Sequence, residues 1–281
     1  MSIFITDKKG QLGNRLFLYA HFIGFAKEYD FELYNFAFID YQSYFENSNH
    51  QVLPSFNTTK KWSRSAAFTF LFISKIIIAW YKVTKLNLPG FKVHYIDSWD
   101  KTVELDASNF DSKKYHLISG WGFRNHSLLA KHQTTIANHL SPKKNYFTKI
   151  TNLNLDKSKF IYCGVHIRKG DYEKFEGGKY YFTLENYKTW MDQFAAKHPH
   201  KSVVFIIASN EKITPKDFPD HKIIFSNGEP IEDIICLTSC NYIIGPPSTF
   251  SGWASYYGTT PLLHMQAKDA VIDMEHFKVY Q

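Results

Sequence analysis

The sequence predicts an α/β protein built on parallel, doubly wound sheet, and three observations carry that prediction. In the second half, apolar runs alternate with amphipathic stretches at the spacing of βα units. The first half opens on a short apolar strand, a glycine-containing loop and a helix. Between them, Ser141 to Lys159 is polar, with Pro142 and a run of Lys and Asn, the composition of a boundary. A chain of 281 residues holds two domains of ordinary size. The expected division is 1–150, 151–265 and a C-terminal tail, 266–281.

The elements follow in order. Ile3 to Thr6 reads as a strand, Lys8 to Gly13 as a loop, and Asn14 to about Tyr29 as a helix. Leu16, Tyr19, Ala20 and Ile23 share one face of that helix, and Phe17, Phe22 and Phe25 widen it, so it is expected to be mostly buried. Phe31 to Phe38 reads as a strand, and Tyr41 to Lys60 shows no period. A long helix over 62–85 ends at Asn87 and Pro89-Gly90. Strands at about 93–97 and 114–119 and a helix at about 126–140 complete the half.

In the second half the predicted strands are Phe160 to Ile167, Ser202 to Ala208, Ile223 to Ser226, Tyr242 to Gly245 and Pro261 to His264. The predicted helices are Leu184 to Lys197, Ile231 to Ser239 and Thr249 to Tyr257. No internal repeat or low-complexity segment interrupts them.

Composition narrows the partners. Cys163, Cys236 and Cys240 are an odd number without Cys-x-x-Cys spacing, which points to buried thiols in a reducing compartment. The formal charge of +7 favours an anionic partner. A nucleic-acid binder should cluster its Lys and Arg among aromatics, whereas here the basic residues are dispersed, so nucleic acid is not expected. Met1 to Asp7 lacks a basic start and a long apolar core, and reads as a strand in a cytoplasmic protein. The segment 62–81 is apolar but carries Lys75 at its middle, which opposes spanning by about 3 kcal/mol. The first expectation is a buried helix. The alternative is an interfacial one, flanked by Lys60, Lys61, Arg64, Lys82 and Lys85 and touching an acidic inner membrane face peripherally through 60–85.

Three constellations carry chemistry, each where a strand ends, the edge at which open α/β sheets bind ligands. In Gly164-Val165-His166-Ile167-Arg168-Lys169-Gly170-Asp171-Tyr172, alternation puts His166 and Arg168 on one side of the strand end. A guanidinium there grips two phosphate oxygens at once, although an Arg-Lys-Gly-Asp turn is also ordinary solvated surface. In Gly245-Pro246-Pro247-Ser248-Thr249-Phe250-Ser251-Gly252-Trp253, Ser248 or Thr249 caps a helix whose N-terminus suits phosphate; the plain reading is a capped helix. Gly10-Gln11-Leu12-Gly13-Asn14-Arg15 allows close approach to backbone, with Asn14 as cap and sugar-oxygen donor, and matches no phosphate-loop pattern. Glu229-Pro230-Ile231-Glu232-Asp233 opens a helix, where acids favour the dipole or, alternatively, accept from guanine. No Asp-x-Asp occurs, so no metal site is indicated, and a departing diphosphate would be stabilised by Arg168, Lys169 and a helix N-terminus.

Together these residues resemble the α-1,2-fucosyltransferase family, and more distantly the α-1,6- and protein O-fucosyltransferases. His166-Ile167-Arg168-Lys169-Gly170-Asp171-Tyr172 is similar to the family's His-x-Arg-Arg-Gly-Asp-Tyr signature. Gln11-Leu12-Gly13-Asn14-Arg15 is similar to its N-terminal Gly-x-Gly-Asn-Gln loop, and Ser248-Thr249-Phe250 with Trp253 to its Ser-Thr-Phe-Ser-x-Trp segment. Gly120-Trp121 is a fainter fourth match. The matches fall in family order across nearly the whole chain.

The resemblance implies a GT-B-like fold of two Rossmann-like domains facing across a cleft, 1–150 on the acceptor side and 151–265 binding the donor. It implies an inverting, metal-independent transfer of L-fucose from GDP-fucose to a glycan hydroxyl, with an α-1,2 linkage and no cofactor. His166 and Arg168 would contact GDP, Asp233 would read guanine, and Ser248, Thr249 and Phe250 would bind diphosphate and fucose. Gly13 and Asn14 would face the sugar; Asp171 and Glu176 are the candidate bases, and the alternative is a loosely bonded transition state that needs little help from one. The sequence departs from the pattern at Lys169 for the second Arg, at Arg15 for Gln and at Gln11 for Gly. Those departures keep open a related transferase using another GDP-sugar, or an inactive glycan-binding relative.

Overall fold

The computed structural model describes residues 1–47, 54–96, 98, 101–111, 113–226 and 228–280. The chain divides into two compact units, residues 1–143 and 144–280. Both are α/β with mainly parallel sheets, as the sequence predicts.

Unit 1 contains β1 (Ser2–Ile5), α1 (Leu12–Tyr29), β2 (Glu32–Asn35), β3 (Ser55–Phe56), α2 (Arg64–Thr84) and β4 (Phe91–Tyr95). It continues with β5 (Val103–Glu104), β6 (Tyr115–Ser119), β7 (Phe123–Arg124), α3 (His126–Lys131) and α4 (Gln133–His139). The main sheet has the order β3-β2-β1-β6-β4, all parallel except β3. All four β1 residues are buried, which is why this strand reads as a continuous apolar run rather than an alternation. At the carboxyl edge of β1 and β6, Ser119 Oγ donates to Asp7 at 2.6 Å.

Four expectations for unit 1 are corrected. Helix α1 starts at Leu12, so Gln11 is its N-cap and Asn14 lies inside the first turn. The cause is local. Gly10 takes a left-handed φ of 74° and any side chain there would strike Asn14, so the turn into the helix is completed before residue 14. The strand expected over 31–38 stops at Asn35 and tightens into a 3₁₀ turn, Phe36–Phe38. The helix expected over 126–140 is broken at His132 (φ −104°, ψ 18°), whose Nε2 lies 2.7 Å from Glu28. Finally, α2 is not a buried helix. Ala67, Leu71, Ile77 and Ile78 pack with Phe4, Tyr34, Phe36, Val93 and Leu117, but Phe68, Phe72, Ile76, Trp80 and Val83 are exposed.

Unit 2 contains α5 (Thr148–Asn152), β8 (Phe160–Ile167), α6 (Leu184–Ala196), β9 (Ser202–Ser209) and β10 (Lys222–Phe225). It ends with α7 (Pro230–Thr238), β11 (Tyr242–Gly245), α8 (Thr249–Gly258) and β12 (Leu262–His264). Its sheet is parallel throughout, in the order β10-β9-β8-β11-β12. The chain runs outward from β8 through β9 to β10, then crosses to the other side of β8 as β11. The carboxyl edge between β8 and β11 is therefore the topological switch point.

Alternation along β8 and β9 sorts the core. Cys163, Val165, Ile167, Phe205 and Ile207 face a cluster with Phe182, Trp190 and Phe194. Tyr162, Val204 and Ile206 face Cys236 of α7 and Cys240 just beyond its C-terminus. A Cβ at Gly164 would sit 2.7 Å from the Leu237 side chain, so the glycine lets α7 pack directly on β8. All three thiols are free and buried. Residues 144–152, inside the stretch read as a polar boundary, form a 3₁₀ turn and α5. Residues 266–280 fold back on unit 2: Ile272 is fully buried and Trp190 Nε1 donates to the Ala270 carbonyl at 3.0 Å.

Candidate functional site

The site in unit 2 grows from the pairing of β8 with β11. Their register sets Ile244 beside Val165, so the next residues, His166 and Gly245, meet at the carboxyl edge. A Cβ at Gly245 would lie 2.7 Å from the His166 carbonyl oxygen and 3.0 Å from its Cβ. The glycine is what allows the imidazole to stand there. His166 is buried, its ring 5.1 Å from that of Phe250, and its Nδ1 has no hydrogen-bond partner among the described residues. Burial, with the Arg168 guanidinium adding to it, holds its pKa down to about 3, so the ring is neutral.

Beyond β8 the chain leaves the sheet through Arg168 and a 3₁₀ turn, Gly170–Glu173. Two hydrogen bonds and one left-handed glycine fix that exit. Arg168 N–H donates to Tyr187 Oη at 3.3 Å, Lys169 N–H donates to Asn210 Oδ1 at 2.9 Å, and Gly170 takes a left-handed φ of 59°. The Arg168 side chain is largely buried and its Nη2 donates to Asp171 Oδ2 at 2.8 Å. Its guanidinium carbon lies 5.5 Å over the Tyr172 ring. Tyr172 Oη donates to the Pro247 carbonyl at 2.7 Å and also bonds the Ser248 side chain. Arg168 and the turn before α8 are thus joined by one aromatic residue.

The turn itself is a helix start. Ser248 has extended backbone and caps α8, its Oγ accepting from Phe250 N–H at 3.2 Å. The first turn of a ten-residue helix therefore points its positive dipole end at the switch point. His264, at the end of β12, backs this turn: its Nε2 is 3.3 Å from Ser251 Oγ and it bonds the Ser248 backbone. Burial lowers its pKa to about 4.

The structure therefore brings His166, Arg168, Asp171, Ser248, Thr249 and Phe250 to one sheet edge. A guanidinium, a neutral imidazole with an open nitrogen and a helix N-terminus form an anion-receptive corner suited to a phosphate chain. Lys169, next to Arg168, places its ammonium 4.6 Å over the Tyr181 ring. Asp233 lies in the first turn of α7 and accepts from Ser226 Oγ. Glu176 adopts a left-handed φ of 47° ahead of Gly177 and Gly178. Gly13 and Asn14 belong to unit 1, in the first turn of α1. There Arg15 organises the loop, donating to the Gly10 and Ala37 carbonyls at 3.0 Å each and to Asp40 at 2.8 Å.

Sequence reasoning missed the parts played by Tyr172, His264, Tyr187 and Asn210. His264 offered a signal, because it ends a predicted strand at the same edge. The other three act through pairings remote in sequence. Among the described residues, no group of three or more His, Cys, Asp or Glu is placed to hold a metal.

Solved structures share this architecture. The NodZ α-1,6-fucosyltransferase of Bradyrhizobium, soaked with GDP-fucose, superposes with a TM-score of 0.57 at 12% identity, over 96% of this chain and 98% of that one. FUT1 of Arabidopsis thaliana in complex with GDP gives 0.56 at 10% identity, over 99% of this chain and 73% of that one. Fold and switch-point corner together define a protein of the GT-B-like α/β class. More particularly, the chain belongs to glycosyl transferase family 11, whose profile matches residues 2–270. A curated relative, the galactoside 2-α-L-fucosyltransferase SEC1 of Bos taurus, is 29% identical over 105 residues. That match spans 34% of this chain and 28% of the relative's length.

Proposed function

We propose that the chain transfers L-fucose from GDP-fucose to a hydroxyl of a glycan acceptor, with inversion and an α-1,2 linkage. The observation that carries this reading is the Arg168–Tyr172–Pro247 connection, which joins two segments of the family pattern in one corner. Support also comes from NodZ, which was soaked with GDP-fucose, from FUT1, complexed with GDP, and from the bovine galactoside 2-α-L-fucosyltransferase.

In this mechanism the acceptor oxygen attacks the anomeric carbon as the bond to GDP breaks, and the acceptor proton passes to a base or to water. Arg168 and the α8 N-terminus stabilise the charge that develops on the leaving diphosphate, without a metal ion or cofactor. Asp171 holds the guanidinium in place through its ion pair. His166 Nδ1 meets the donor as a neutral group, and Asp233 accepts from the guanine edge. Lys169, stacked on Tyr181, shapes the turn rather than gripping phosphate. The reading keeps the cytoplasmic address inferred from the sequence, which cell fractionation tests.

The test is a donor screen with purified protein: GDP release or sugar transfer from GDP-fucose, GDP-mannose, and UDP- and ADP-sugars, followed by NMR of the product linkage. Turnover confined to GDP-fucose, with an α-1,2 product, is expected. Turnover of GDP-mannose instead would reassign the donor, and no turnover of any GDP-sugar would remove the enzymatic reading.

A further inference from the structure

The outer face of α2 is the feature that the donor site does not explain. The helix is 21 residues long and is capped at both ends: Ser63 Oγ accepts from Ala66 N–H, and Lys85 closes the C-terminus in a left-handed conformation. One stripe, Ala67, Leu71, Ile77 and Ile78, is sealed against the sheet of unit 1. The opposite stripe is equally apolar but open. Phe68, Phe72, Ile76, Trp80 and Val83 recur at three- and four-residue intervals and expose 47, 66, 55, 47 and 84% of their surface.

Charge says what covers it. Between Glu46 and Asp97 the sequence contains no acidic residue at all, but seven basic ones: Lys60, Lys61, Arg64, Lys75, Lys82, Lys85 and Lys92. The whole chain has 33 Lys and Arg against 26 Asp and Glu, so the remaining 26 basic residues balance the 26 acids. The entire formal charge of +7 therefore belongs to the segment that contains α2 and its flanks. The lysines are not unusually dense; acids are missing between them in sequence, and of these lysines Lys60 pairs with Glu32 of β2 at 3.5 Å.

We infer that α2 docks in the plane of an anionic lipid surface, with Phe68, Phe72, Ile76, Trp80 and Val83 below the headgroups and the lysines among them. By length and composition this helix is able to cross a bilayer. Spanning, however, would strip Ala67, Leu71, Ile77 and Ile78 from their sheet, whereas in-plane docking uses only the face already open. A second copy of the chain is a poor occupant, because a symmetric contact through α2 would set two acid-free basic segments against each other. Anionic phospholipid headgroups complement that charge. The inference extends the membrane-facing side of the sequence reading and does not depend on the donor assignment.

The experiment is vesicle co-sedimentation of the full chain, using phosphatidylcholine with and without about one third phosphatidylserine, at low and high salt. Binding to the anionic vesicles is expected to be roughly tenfold or more tighter than to the neutral ones, and to be released by salt. Phe72→Glu with Val83→Glu, and separately Lys61→Glu with Lys75→Glu, are each expected to weaken it roughly tenfold. These side chains are exposed, so unfolding midpoint and donor turnover in solution are expected to stay unchanged. Equal binding to both vesicle types, or undiminished binding by both variants, would overturn the inference. So would resistance to an alkaline wash, the mark of a spanning helix, or a lipid-free dimer that Phe72→Glu with Val83→Glu dissociates. Donor turnover without vesicle binding would sink this inference alone, and vesicle binding without turnover would sink only the donor assignment.

Discussion

Tyr172 donates a 2.7 Å hydrogen bond to the Pro247 carbonyl while its ring lies beneath the Arg168 guanidinium, 5.5 Å from the guanidinium carbon. One residue thus sets both the height of the cation and the position of the turn that starts α8. Removing only the hydroxyl separates these roles. Tyr172→Phe is expected to keep the stacked ring, to cost about 1 kcal/mol of stability and to lower kcat/KM for the donor several-fold. Steady-state kinetics alongside thermal unfolding check this; wild-type kinetics would show that the turn is held by other contacts.

Arg168 is expected to matter far more to turnover than to folding, since its guanidinium bonds the side chain of Asp171 at the edge of the core. Arg168→Ala should reduce transfer about 10²–10³-fold with little change in unfolding midpoint. Arg168→Lys should recover only a small part, because an ammonium lacks the planar fork. Full activity in the alanine variant would remove Arg168 from the donor site.

Gly245 tests the packing that lets His166 reach the edge. A methyl group there meets backbone at 2.7 Å, which cannot swing away as a flexible side chain would. Gly245→Ala is expected to destabilise unit 2 by about 1–3 kcal/mol and to depress donor binding with it. An unshifted melting curve would show that β8 and β11 separate easily.

Asp233 reports on the base. If its carboxylate accepts from guanine, Asp233→Asn should raise the donor KM roughly tenfold and erode discrimination between GDP and ADP in competition assays. Unchanged nucleotide selectivity would reassign it to the first turn of α7, where it favours the helix dipole and accepts from Ser226.

Acid should unfold the protein early. Burial lowers the pKa values of His21, His94 and His166 to about 3, and those of His139 and His264 to about 4, against 6.5 unperturbed. Between those values the unfolded chain binds more protons than the folded one. The stability contributed by these neutral rings is therefore complete above pH 6.5 and is lost as pH falls toward 4, at up to about 1.4 kcal/mol per pH unit for each ring. Unfolding midpoints measured at pH 7.5 and pH 5 should differ by many degrees, and equal midpoints would contradict the burial of these imidazoles.

What could be read from the sequence depended on whether a residue's role is local. Every strand of unit 2 was legible, because the central strands β8, β9 and β11, buried on both faces, show as uninterrupted apolar runs, and the ends of β8 and β11 delivered His166, Arg168 and Ser248. The Tyr172 contact was not legible, since its partner is 75 residues away. Asn14 was misplaced as a cap because the left-handed turn at Gly10 starts the helix earlier than the apolar period does. Helix α2 was located within two residues, yet its burial was misjudged: periodicity cannot distinguish a helix covered all round from one apolar on both faces and covered on one.

The concentration of charge around α2 has a corollary for the donor. Residues 144–280, which hold the anion-receptive corner, contain sixteen Lys and Arg against fifteen Asp and Glu. That portion is close to electroneutral, so a nucleotide sugar gains little from long-range attraction by it and is captured mainly through contact. Ionic strength would then act as a selector, governing where the protein resides in the cell while barely altering how it handles its small-molecule substrate.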